Sequence, residues 1–135
     1  MPRLAKGAKE TFGWVQISRQ RKILVPPDAW ERYGFQVGEQ AIFLRASKTS
    51  AGFSLTNRKL FENCFLSLHP ERILAVDGFY ENRTVHIPNS IPVAAGDKML
   101  TVFGSRYALG FISKGPIYER AQAFPELEIY TMEVS

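Results

Sequence analysis

The sequence predicts a mainly β fold with short helices, built from two internal repeats. Three observations predict it. Short β-branched and aromatic stretches are bounded by Pro and Gly, two of them end at a proline, and the halves of the 135-residue chain correspond at two fixed offsets.

Residues 12–17, FGWVQI, mix aromatic and β-branched side chains with the polar Gln16, as a half-buried strand does. SRQR (18–21) reads as a hairpin turn and KILV (22–25) as the returning strand. Pro26 ends that strand, because proline cannot donate to a ladder. Pro27 suits the first turn of a helix, Trp30 and Tyr33 share one face of it, and Gly34 supplies the left-handed residue that closes it. QAIFLRA (40–46) and AGFSLT (51–56) follow as strands around a Lys-Thr-Ser turn. Behind a Thr56 or Asn57 cap, Leu60, Phe61, Cys64, Phe65 and Leu68 recur at helical spacing. They predict a core-packing helix near 57–67.

In the second half ILAVDGFY (73–80) and RTVHI (83–87) read as strands, and Pro88 ends the latter as Pro26 ends KILV. DKMLTVF (97–103) and YALGFI (107–112) flank Gly104-Ser105, a predicted two-residue hairpin turn. GPIYERAQAF (115–124) predicts a helix with Pro116 in its first turn, and LEIYTMEV (127–134) a last strand.

An offset of 62 matches Pro26 with Pro88, Val25 with Ile87, Ile23 with Val85 and Arg21 with Arg83. After the short helix the offset becomes 58 and pairs Gly38-Glu39 with Gly96-Asp97, then Gly52-Phe53 with Gly110-Phe111. The second copy has lost about one helical turn, so its helix is expected to shrink to a turn at PNSIP (88–92). The division is a basic arm 1–11, one repeat over 12–67 and another over 73–135. The two repeats bury their apolar faces together as one pseudo-twofold domain.

Composition narrows the function. No apolar run approaches the ~20 residues of a membrane span, and the N-terminus has no apolar targeting core, so a cytoplasmic protein without membrane contact is expected. Cys64 is the only cysteine, which excludes an intrachain disulfide and a cysteine-rich zinc site. The net charge of +4 is unevenly spread. Residues 1–63 hold 11 Lys and Arg against 5 Asp and Glu, and the remainder 6 against 8. Arg3, Lys6, Lys9, Arg19, Arg21 and Lys22 carry much of the surplus, and a one-sided basic surface concentrates polyanions such as nucleic acid.

The elements SRQRKILVP, DAWERYG and VGEQAIFL, echoed by NRTVHIP and AGDKMLTVF, resemble the AbrB/MazE/SpoVT swapped-hairpin family. The likeness covers roughly residues 12–46 and 74–104, and two copies in one chain are similar to the MraZ arrangement. The resemblance implies a small double-psi, swapped-hairpin barrel whose first hairpin faces DNA. It also implies assembly into a homodimer or larger homo-oligomer. Carried over by position, the DNA-facing residues are Arg19, Arg21 and Lys22, with Arg83 from the second copy. Arg21-Lys22 stands where the family has Gly-Arg, and Asp77 and Glu81 lie in the hairpin of Arg83, so Arg83 is expected to contribute less.

The function expected is therefore that of a transcriptional regulator binding double-stranded DNA, with Arg3, Lys6 and Lys9 adding cations from the arm. No cofactor, metal or catalytic residue is expected. His69 and His86 stand apart without Cys or carboxylate partners at ligand spacing, and neither a phosphate-cradling glycine loop nor a nucleophile elbow occurs. The competing class is a protein-interaction module, antitoxin-like or oligomeric, that holds a partner through the aromatic C-terminal region, GPIYERAQAFPELEIYTMEV.

Overall fold

The structure is a computed structural model that describes residues 10–45, 51–64 and 70–131. Among the described residues, nine strands and three short α-helices follow one another as β1 Thr11–Gln16, β2 Lys22–Leu24, α1 Pro27–Tyr33, β3 Gln40–Arg45, β4 Phe53–Asn57, α2 Arg58–Glu62, β5 Ile73–Tyr80, β6 Thr84–His86, β7 Lys98–Ser105, β8 Ala108–Ile112, α3 Pro116–Ala121 and β9 Ile129–Tyr130. The strands form a single sheet in the order β2-β6-β5-β3-β4-β8-β7-β1-β9. Its ends curl toward each other, since the β1–β2 turn joins them through Ser18 N–H to Lys22 O at 2.9 Å. The result is a nearly closed, barrel-like sheet.

Inside lies the main apolar core, with Ile23, Phe43, Phe53, Leu55, Phe79 and Phe111 at or near zero exposure. Strand alternation leaves a second set of apolar side chains outside, and the helices cover part of it. The α3 segment seals Trp14, Leu100 and Val102, with the Tyr118 ring edge-on to Trp14 at 5.1 Å. Phe61 of α2 packs against Ile42 and Leu44. Asn57 starts α2 by accepting Leu60 N–H at 2.8 Å, the cap its residue type favours.

The pairing pattern has twofold symmetry. Ile23 sits opposite Val85, and Phe53 opposite Phe111, whose rings stack 4.8 Å apart. Backbone hydrogen bonds come in matching pairs. Val25 N–H reaches Arg83 O at 2.8 Å while Ile87 N–H reaches Arg21 O at 2.7 Å. Ile17 N–H reaches Asp97 O at 2.9 Å while Phe79 N–H reaches Glu39 O at 3.1 Å. The β1–β7 register, with Trp14 opposite Leu100, reappears in β5–β3 with Val76 opposite Ile42. Each residue maps onto its counterpart by the offsets 62 and 58.

The halves differ where the second is shorter. α1 begins at Pro27 and closes on Gly34, whose φ of 67° is the left-handed value glycine adopts without a Cβ clash. The corresponding stretch at 88–91 is only a turn, closed by Ile91 N–H to Pro88 O at 3.0 Å. Tyr33 anchors α1 to the β7–β8 hairpin, its hydroxyl lying 2.6 Å from Ser105 O and 3.0 Å from Ala108 O.

Some boundaries differ from the sequence expectation. The β7–β8 turn is not Gly104-Ser105 but Arg106-Tyr107, because β7 runs on through a bulge to pair Ser105 with Ala108. Gly104 serves close approach instead, since a Cβ there would lie 2.8 Å from Ala108 O. α2 stops at Glu62, where Asn63 N–H closes it onto Lys59 O, so it is shorter than the expected 57–67. Phe65 and Leu68 of the expected stripe lie outside the described residues. α3 stops at Ala121, short of the expected 115–124 span, and tighter turns follow it, with Ala123 N–H on Arg120 O and Phe124 N–H on Ala121 O.

Candidate functional site

The cations expected to face DNA gather at the β1–β2 turn. Arg21 N–H donates to Ser18 O at 2.9 Å, and Lys22 N–H to Ser18 Oγ at 3.0 Å. This is a three-residue hairpin loop ending in a left-handed residue, here Arg21 with φ 60°. Arg19 and Lys22 are exposed. Ladder alternation aims Lys22 outward while Ile23 fills the core. Arg3, Lys6 and Lys9 lie outside the described residues.

Arg21 is differently employed. Its guanidinium crosses to the other half, where Nε donates to Ile87 O at 3.1 Å, Nη2 to Pro88 O and Ile91 O at 2.9 Å each, and Nη1 to Val93 O. Four carbonyls thereby gain a charged donor, the stronger kind of hydrogen bond. Arg21 is thus half-buried and engaged by backbone, and does not project from the turn as Arg19 does.

Arg83 mirrors it. Its φ of 55° is also left-handed, and its Nε donates to Val25 O at 3.4 Å, the counterpart of the bond to Ile87 O. The counterpart of the 88–93 turn that Arg21 grips is α1, which begins after Pro26. A groove beside Lys22 is lined by Val37, Gly38, Gly78, Tyr80 and Glu81. Two of its walls are apolar, Val37 at 55% and Tyr80 at 47% exposure.

Sequence reasoning missed a cluster at the same place. His86, expected to lack a carboxylate partner, has its Nδ1 3.0 Å from Asp77 Oδ2. The other Asp77 oxygen accepts the Tyr80 hydroxyl at 2.6 Å and Gly78 N–H at 2.8 Å. Burial alone would raise the Asp77 carboxyl, but the bonds from Tyr80, His86 and Gly78 outweigh it and hold the group below the usual carboxylate range. Bonding to that carboxylate pushes the Tyr80 hydroxyl up. The β5–β6 hairpin makes the cluster by pairing Phe79 with Val85, a register that sets His86 across from Gly78 and so beside Asp77. His86 in turn lies opposite Lys22 across β2–β6. Among the described residues no group of three His, Cys, Asp or Glu is placed to hold a metal ion. No helix among them is long and apolar enough to cross a membrane.

No family model, curated protein or solved structure matches the chain.

Proposed function

We propose that this chain is a DNA-binding transcriptional regulator of the swapped-hairpin type, acting in the cytoplasm as a homodimer or larger assembly. In this reading one chain supplies both halves of a double-psi, AbrB-like barrel, and the twofold register is the internal repeat. The observation that carries the proposal is the pair of exposed cations, Arg19 and Lys22, on a short turn whose backbone is tied down by Arg21.

Each phosphate reached by Arg19 or Lys22 releases condensed counterions, giving affinity that falls steeply with salt. Arginine adds the option of pairing bidentately with guanine in the major groove, which admits a two-stranded ribbon. Arg21 acts as a positioning residue, since its guanidinium is occupied by the carbonyls of Ile87, Pro88, Ile91 and Val93. Arg83 has the smaller share, with exposed Glu81 in its own hairpin. The basic arm with Arg3, Lys6 and Lys9 adds non-specific attraction. Binding needs no cofactor and no catalytic step.

Titrating the protein into labelled mixed genomic DNA fragments at two salt concentrations tests the reading. Saturable binding that weakens strongly at the higher salt supports it, and no binding at low salt removes it.

A further inference from the structure

Among the described residues, one strand edge is occupied in the first half and open in the second. β9 runs parallel to β1, with Trp14 opposite Ile129 and Val15 opposite Tyr130, and Trp14 N–H donates to Glu128 O at 2.8 Å. The twofold correspondence carries Trp14 to Val76 and Val15 to Asp77. On β5, Phe79 N–H points to Glu39 O on the β3 side. Strand alternation therefore turns Val76 N–H to the opposite edge. β6 covers that edge only at Phe79 and Tyr80, and among the described residues no strand pairs with it at Val76.

We propose that this edge of β5 accepts an extended segment of a partner protein, added as a parallel strand. The segment carries acidic residues ahead of a β-branched and an aromatic residue. An open edge is a template for a further strand, whose main-chain bonds give affinity and whose alternate side chains give specificity. β9 shows what the equivalent edge takes, with Glu126 and Glu128 preceding or interleaving Leu127, Ile129 and Tyr130. A strand in the same register would set its first residues beside the start of β5. Two cations lie near that end of β5, the exposed Arg45 on neighbouring β3 and the half-buried Arg72, whose guanidinium donates to Arg45 O at 2.9 Å, with the exposed Glu71 beside them. A second copy of the chain is a poorer occupant, because its β9 is already paired with its own β1. This inference does not depend on DNA binding.

The test titrates the whole protein into a labelled, end-capped peptide of residues 125–131, PELEIYT. Saturable binding is expected. Val76→Lys and Val76→Pro should each weaken it about tenfold or more, a loss of one good contact. Lysine is tolerated at an exposed edge, and proline where the N–H lies outside the ladder. Charge reversal of both peptide glutamates should weaken binding as well. No binding by the unaltered protein overturns the proposal. So does binding that survives both Val76 substitutions, which would mean that the peptide displaces β9 from β1. Sedimentation in which Val76→Lys converts a dimer to a monomer would assign the edge to a second copy and also overturn it.

Discussion

Arg21 and Arg83 stand just before adjacent strands in the same left-handed conformation, with φ 60° and 55°, and the carbonyl of each accepts a backbone N–H from the far side of the other's strand, Ile87 for Arg21 and Val25 for Arg83. A left-handed backbone costs a non-glycine residue about 1–2 kcal/mol. At Arg21 the bonds to four carbonyls offset that cost. Arg21→Ala loses the bonds and keeps the strain, so it should destabilise by about 3 kcal/mol. Arg21→Gly loses the bonds but relieves the strain, and should cost about 1 kcal/mol less. Urea unfolding of the two variants distinguishes them, and equal losses would contradict the account of the backbone.

Tyr33 provides a second test of how the halves are joined. Its hydroxyl serves Ser105 O and Ala108 O, so Tyr33→Phe should destabilise by about 1–3 kcal/mol. Burial pushes this hydroxyl above the ordinary phenol range. A group whose folded pKa is raised contributes stability that is complete below the unfolded value, near pH 10, and is lost as the pH rises toward the folded one. Urea midpoints at pH 9 and pH 11 should therefore fall further for the native chain than for Tyr33→Phe.

Much of the fold was legible because its signals are local. Pro26 and Pro88 end strands wherever they stand, Gly34 closes a helix by its own backbone freedom, and β5 has the predicted limits of 73–80. Features set by distant partners were not legible. Arg21 looks like any turn cation until Ile87 and Val93 are folded against it, and Gly104 looks like a turn glycine until Ala108 O closes on it. The Asp77–His86 pair was hidden because the three-residue turn at 81–83 sets the hairpin register, and nothing in the composition announces that register. Reading 81–83 as the turn would have set His86 across from Gly78 and so next to Asp77.

Acid sensitivity follows from that pair. Asp77 is held below the usual carboxylate range, so its contribution is present above the unfolded value, near pH 4, and is lost as the pH falls through the lower folded one. The stability difference between the native chain and Asp77→Asn should accordingly be largest near pH 6 and shrink below pH 4. A difference that stays constant from pH 6 to pH 2 would show that the carboxylate charge is not what the cluster uses.

Thr101 presents the opposite case. It is fully buried in β7, and its Oγ1 has no hydrogen-bond partner among the described residues. Valine has nearly the same shape without the hydroxyl, so Thr101→Val should stabilise the protein by about 1 kcal/mol. Thermal or urea unfolding reads this directly, and a loss of stability would point to an acceptor for the hydroxyl.

The exposed turn carries the central claim, and the salt dependence of DNA binding tests it most directly. Log affinity would be measured against log salt for the native chain and for the Arg19→Ala/Lys22→Ala double variant, with circular dichroism confirming the fold. Both side chains are exposed, so their loss should change stability by only about half a kcal/mol. The predicted result is weaker binding with the slope reduced by about 2, roughly 0.9 for each phosphate contact removed. An unchanged slope in a folded double variant would contradict the assignment of Arg19 and Lys22 to DNA.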